Sequence, residues 1–156
     1  MLSTLALLAC IGAATIGGVF FAFSTFVMRA LAQLPLSLGV AAMQRINVVV
    51  LNPVFLGVFI GTALLTAACV VASFFPWNAP RSQLLVAAGL LYLAGSFWVT
   101  LAFNVPRNKR LARLDTESLE AARYWPIYVR EWSRWNHVRT AASLASAACS
   151  AAALIA

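Results

Sequence analysis

The densest chemistry in this chain lies in Trp132-Ser133-Arg134-Trp135-Asn136-His137-Val138-Arg139-Thr140, which holds the only histidine among 156 residues. An imidazole titrates near neutral pH and can take or return a proton. A carboxamide and a guanidinium beside it can stabilise a developing oxyanion, and indole rings can stack on a flat partner. Asn136, His137 and Arg139 are therefore candidate catalytic groups, with Trp132 and Trp135 as candidate binding groups. A protein-held zinc or di-iron site needs three or more His, Cys or carboxylate ligands. The chain has one histidine and four acids, Asp115, Glu117, Glu120 and Glu131, all in a single hydrophilic segment. Cys10, Cys69 and Cys149 lie in apolar runs without metal or redox spacing and read as buried thiols. No metal site is expected. Haem needs only one axial histidine, so His137 leaves a haem site open, as it does catalysis with no cofactor.

The elements that must position these groups belong in a bilayer. The chain is 63% hydrophobic and 10% charged, with a mean hydropathy of +0.89. A soluble domain of this size has too little interior to hide such a surface. The net charge is +7, and eight of the eleven Lys/Arg fall between Arg107 and Arg139. A basic loop beside apolar runs sets membrane topology or meets lipid headgroups, so nucleic acid is not an expected partner.

Four spans are expected, approximately 2–28, 54–75, 83–105 and 136–156, with interfacial helices near 38–51 and 117–135. The first run lacks a basic n-region and exceeds the length of a signal segment, so it is expected to remain as a span. Pro35 and Ser37 should break and cap the chain before the second helix, and Asn52-Pro53 should break it again. Ala13 with Gly17, Ala14 with Gly18, and Gly57 with Gly61 put small residues four apart, a spacing that favours close helix contact within the bundle or between copies of the chain. The turn around Trp77 should anchor at the interface. Residues 115–118 supply a turn and cap before the amphipathic helix. Ten Lys/Arg lie on one side of this arrangement and only Arg81 on the other. The positive-inside rule then makes the basic loops cytoplasmic and both termini external. The expected architecture is an all-α integral membrane protein, one domain over 1–156, with four transmembrane helices and an interfacial amphipathic helix before the last span.

Polar residues at membrane depth are costly, so their positions are informative. Asn47 and Asn52 precede the second span, Asn104 and Asn108 end the third, and Asn136, His137 and Arg139 begin the fourth. Either these amides satisfy backbone groups freed by Pro53 and Pro106, or they form one shared site. Trp125, Tyr128, Trp132, Trp135 and Arg139 fall in a stripe about 80° wide on a regular helix. Ser143, Ser146 and Ser150 continue it. The stripe reads as an interfacial belt, or as an aromatic wall of a bundle cavity with the serines leaving room below. His137 lies about 160° from the stripe, so imidazole and stripe serve different surfaces unless the helix bends.

Phe23-Ser24-Thr25-Phe26-Val27-Met28, Met43-Gln44-Arg45-Ile46-Asn47, Leu51-Asn52-Pro53, Asn104-Val105-Pro106-Arg107-Asn108 and Trp135-Asn136-His137-Val138-Arg139-Thr140 together resemble the anthrone oxygenase-like family of small integral membrane proteins, in order along nearly the whole chain. The resemblance implies a bacterial inner-membrane protein acting on a flat apolar aromatic. It implies proton abstraction, electron donation from the resulting anion to oxygen, and no obligatory cofactor. In that reading His137 is the base and Arg139, Asn136, Asn104 and Asn108 stabilise the enolate. Trp132 and Trp135 stack on the rings, with Asn47, Asn52, Trp125 and Tyr128 as further binding residues. Two other readings stand beside it: a haem oxidoreductase using His137, and a non-enzymatic membrane subunit or small-molecule carrier that assembles through its small-residue faces.

Overall fold

The computed structural model describes residues 1–75 and 77–156; among these, every regular element is helical. The helices are α1 (Leu2–Gln33), α2 (Leu36–Val49), α3 (Pro53–Ala72), α4 (Ala79–Leu111) and α5 (Leu119–Ala152). Helices α1, α3 and α4 are each long and apolar enough to cross a membrane. Their outward faces carry large apolar side chains such as Leu64, Val71, Leu90 and Trp98, each more than 60% exposed. In water such surfaces would drive aggregation; in hydrocarbon they cost nothing. This is an all-helical membrane protein.

The local chemistry explains the helix ends. Asn52 caps α3 by accepting the Phe55 N–H at 2.9 Å, and Pro53 sits in the first turn, where its missing N–H does no harm. Ser118 caps α5 through the Ala121 N–H. Asp115 holds the preceding turn through the Glu117 N–H. Pro35 itself, rather than Ser37, occupies the position before α2, because its ring already holds the extended entrance to the helix.

Several boundaries differ from those expected. Pro106 does not end α4, which runs on to Leu111. The backbone ahead of it, Thr100–Asn104, is wound as π-helix, and the wider turn accommodates the proline ring. The expected interfacial helix and last span are one continuous 34-residue helix, about 50 Å long. Nothing breaks that helix between Trp135 and Asn136, since neither Gly nor Pro occurs there and good helix formers follow.

The four long helices form a ring. α5 packs principally on α1 and α4, and α3 packs on the same two from the opposite side. Small residues govern the approach. Gly12 meets Thr62 of α3, Gly17 meets Leu144 of α5, and Gly95 meets Ala142 of α5. The Gly57/Gly61 pair, in contrast, has no neighbour within 4 Å, and neither does Gly18. Those two spacings are outward-facing and do not join helices of this chain. The serine stripe is buried against α4: Ser143 shares a hydrogen bond with Ser96 and Ser146 donates to the Ala88 carbonyl. These serines close the α4–α5 contact instead of leaving space there. α2 lies across the end of the ring where Arg107, Lys109 and Arg110 cluster, and Gln44 fastens it by donating to the carbonyls of Leu111 and Leu114, both at 2.9 Å.

Candidate functional site

Because α3 and α5 sit across the ring from each other, a gap remains between them wherever neither α1 nor α4 fills it. At the α2 end that gap is a cavity of about 450 Å³, a volume within the range typical of small-molecule sites. Most of its wall is apolar. Phe20 and Phe23 come from α1, Phe55 and Phe59 from α3, and Phe97 from α4. Phe59 and Phe97 stack with ring centroids 5.3 Å apart, giving one flat aromatic wall.

The opposite wall is polar. Thr100, Asn104 and Asn108 descend one face of α4, Trp132 and Arg139 face them from α5, and Asn47 reaches in from α2. Asn108 Oδ1 accepts both the Tyr128 hydroxyl and the Trp132 Nε1–H at 2.9 Å. Asn47 donates to the Tyr128 hydroxyl at 3.4 Å. Trp125, Tyr128 and Trp132 stack in succession, so each ring fixes the next. This scaffold holds the Trp132 indole at the cavity rather than leaving it free to turn.

Arg139 is the dominant charge in the site. Its side chain is 5% exposed, and no carboxylate pairs with it; the one ion pair among the described residues joins Arg107 to Glu131 at the helix ends. The guanidinium lies over the rings of Phe20, at 4.0 Å, and Trp132, at 5.1 Å. It donates to Thr100 Oγ1 at 3.2 Å and to Asn136 Oδ1 at 2.7 Å. Asn136 is itself fully buried and held from behind, donating to the Phe20 carbonyl and to Ser24 Oγ at 2.7 Å. The Phe20 carbonyl faces it because the π-helical turn Phe23–Val27 shifts the α1 hydrogen-bond ladder.

Among the described residues three buried polar side-chain atoms lack a hydrogen-bond partner. One, Arg81 Nε, belongs to the far end of the bundle. The other two, Arg139 Nε and Asn104 Oδ1, belong to residues lining this cavity. Both atoms are enclosed by protein rather than exposed in the cavity, and an unpartnered buried donor and acceptor each cost free energy.

The structure separates the residues singled out in the sequence. Asn47, Asn104, Asn108, Trp132 and Arg139 line the cavity. Asn136 stands behind Arg139. Trp125 and Tyr128 are packed in the core of the α2 end and only support Trp132. Trp135 leaves the cavity altogether, stacked on Phe103 at 3.6 Å. Asn52 spends its side chain on the α3 cap and on the Val49 carbonyl. His137 is exposed on the outer face of α5, away from the cavity. α5 continues as one helix through Asn136 and His137, and the imidazole does not line this cavity as a base or a haem ligand within it would have to. No group of three potential metal ligands occurs among the described residues.

Sequence reasoning missed the phenylalanine wall and Thr100. Thr100, Asn104 and Asn108 recur every four residues, a signal visible in the sequence from which only the two asparagines stood out. The phenylalanines carry no such signal, since ten of them are spread through apolar runs where any face looks alike.

With this geometry in view, comparison with known proteins is informative. None of the curated proteins and none of the solved structures matches the chain. The family model described as anthrone oxygenase matches residues 55–149, which spans the cavity-lining parts of α3, α4 and α5. That match covers more than half of the chain, and the protein belongs to the anthrone oxygenase family.

Proposed function

We propose that the cavity binds a flat, apolar, enolisable aromatic of the anthrone or phenol type as its anion and exposes it to molecular oxygen. The observation that carries this reading is Arg139: a buried guanidinium without a carboxylate, lining a mostly apolar cavity. An isolated buried charge is expensive, and the cost is offset when a bound anion takes the place of the missing counterion. A neutral anthrone would gain acidity there, because its enolate oxygen collects the Arg139 charge and directed hydrogen bonds in a low-dielectric site. No carboxylate or imidazole lines the cavity. The positive charge of Arg139, rather than a carboxylate or imidazole base, therefore drives ionisation, and the proton leaves at the cavity rim, where Lys109 is exposed.

The electron-rich carbanion then gives one electron to O2, and the radical pair recombines as a carbon–oxygen bond. The peroxide loses water across its C–H and O–O bonds to leave a ketone. One CH2 and one O2 become one C=O and one H2O, so no outside reductant is required. Trp132 and the Phe59–Phe97 pair stack on the rings, while the Arg139 guanidinium holds the enolate oxygen.

The membrane arrangement proposed with it has α5 as a fourth span through its second half, basic loops in the cytoplasm and both termini outside, in a bacterial inner membrane. The deciding experiment is oxygen uptake by purified protein in lipid vesicles supplied with anthrone. Uptake of one O2 per quinone formed, abolished in Arg139→Gln, is the expected result. Saturable anthrone binding with no oxygen uptake above protein-free vesicles would sink the oxygenase reading and leave a carrier.

A further inference from the structure

The cavity has a flank that opens toward lipid. At the basic end α2 lies over it, fastened by the two Gln44 hydrogen bonds to Leu111 and Leu114 and by the Asn47–Tyr128–Asn108 chain, with Val48, Leu51, Lys109 and Ala112 exposed along the rim. On its flank nothing comparable exists. α3 packs on the Leu91–Trp98 part of α4, but beyond it the two helices line the cavity from opposite sides, Leu56 and Ile60 facing Leu101 and Val105. Ile60 and Leu101 are each 45% exposed while also lining the cavity, so the opening passes between them. Its rim continues into the bare apolar faces of α3 and α4 at Leu64, Val71 and Trp98. Such faces lie in hydrocarbon. Lys109, exposed at the rim one helical step beyond Val105, marks the headgroup level.

We propose that this gap between Ile60 and Leu101 is a lateral portal through which a small flat apolar molecule dissolved in the bilayer reaches the cavity without passing through water. The occupant is set by the surfaces: an apolar slot between two helices admits a thin, lipid-soluble molecule, and Arg139 beyond it retains one that can become an anion. Entry at the basic end, past Val48, Leu51 and Lys109, is the alternative route that the water-restricted reagent tests. This inference concerns access and holds whatever reaction follows, so its test uses a probe unrelated to anthrones.

The test is carbene labelling of the whole protein in phosphatidylcholine vesicles, with labelled residues located by mass spectrometry. One reagent is an uncharged phenyl trifluoromethyl diazirine, which partitions into hydrocarbon; the other is its sulfonated analogue, which stays in water. The lipid-dissolved reagent is expected to mark Phe97 and Thr100 as well as the outer residues Leu64 and Val71, and the sulfonated one to mark none of the four. In the double variant Ile60→Trp, Leu101→Trp, labelling of Phe97 and Thr100 should fall to background while Leu64 and Val71 stay labelled. Cavity labelling by the sulfonated reagent, absence of cavity labelling by the lipid-dissolved one, or unchanged labelling in the double variant would each overturn the portal. If the double variant does not fold, the two reagents on the unaltered protein still decide.

Discussion

The two ends of α5 solve opposite problems. Along its second half small side chains let neighbours close in: Ala142 against Gly95, Leu144 against Gly17, and Ser143 and Ser146 bonded to α4. Even the Cys10 thiol finds the Ala147 carbonyl. Around Trp132 and Arg139 the same helix carries large side chains and the bundle stays open, although α4 is π-helical at both places, over Leu91–Trp98 and over Thr100–Asn104. Polar groups join helices at both ends, but the open one also leaves Arg139 Nε and Asn104 Oδ1 without partners. Stability is concentrated where contact is close, and binding capacity where contact is withheld.

Substitutions can break this contrast. The largest effect is expected from Arg139→Gln, which should cost turnover of an enolisable aromatic about 100-fold or more, the scale of a lost oxyanion donor. The same change should leave thermal stability unchanged or higher, because it removes a buried charge that lacks a counterion. A variant that instead melts earlier and turns over normally would make Arg139 structural. Next comes Asn136→Ala, which leaves one Arg139 Nη without its acceptor and removes a second donor from the Phe20 carbonyl; about 1–3 kcal/mol of stability should be lost in detergent denaturation, together with ligand affinity.

At the closed end, Gly95→Val should cost about 1–3 kcal/mol through overpacking against Ala142, whereas Gly57→Ala, facing outward, should stay within about 0.5 kcal/mol. Equal effects would mean that the closeness of α4 and α5 is not what holds the ring. Ser143→Ala should lose about 1 kcal/mol, one buried hydrogen bond, with ligand binding untouched. The smallest effect belongs to His137→Ala: turnover and stability should match the unaltered protein. A severe loss of turnover there would bring the imidazole back as a proton acceptor and require α5 to bend.

Much of this was legible in the chain. Apolar runs of sufficient length located α1, α3 and α4, because the bilayer imposes a length and a composition that few other settings do. Asn52, Pro53 and Ser118 act locally as caps or first-turn residues, so their neighbours in sequence were enough to place their helix starts. The site was only half legible. Asn47, Asn104, Asn108, Trp132 and Arg139 stood out as polar or aromatic groups at one depth, but so did Asn52, Trp135 and His137, which the fold sends elsewhere. Pro106 was misread because the π-helical turn that absorbs it has no sequence signature.

What the sequence by itself determined was therefore everything governed by solvent and by near neighbours: helical class, the bilayer as surroundings, helix starts, and the shortage of metal ligands. Tertiary structure alone decided which face of each helix meets the cavity. A face depends on helix phase, and phase accumulates across π-helical turns and unbroken joints that composition does not report. On the regular helix α5 the sequence already set Arg139 and His137 on opposite faces; the packing of α1 and α4 alone decided that the Arg139 face is the buried one.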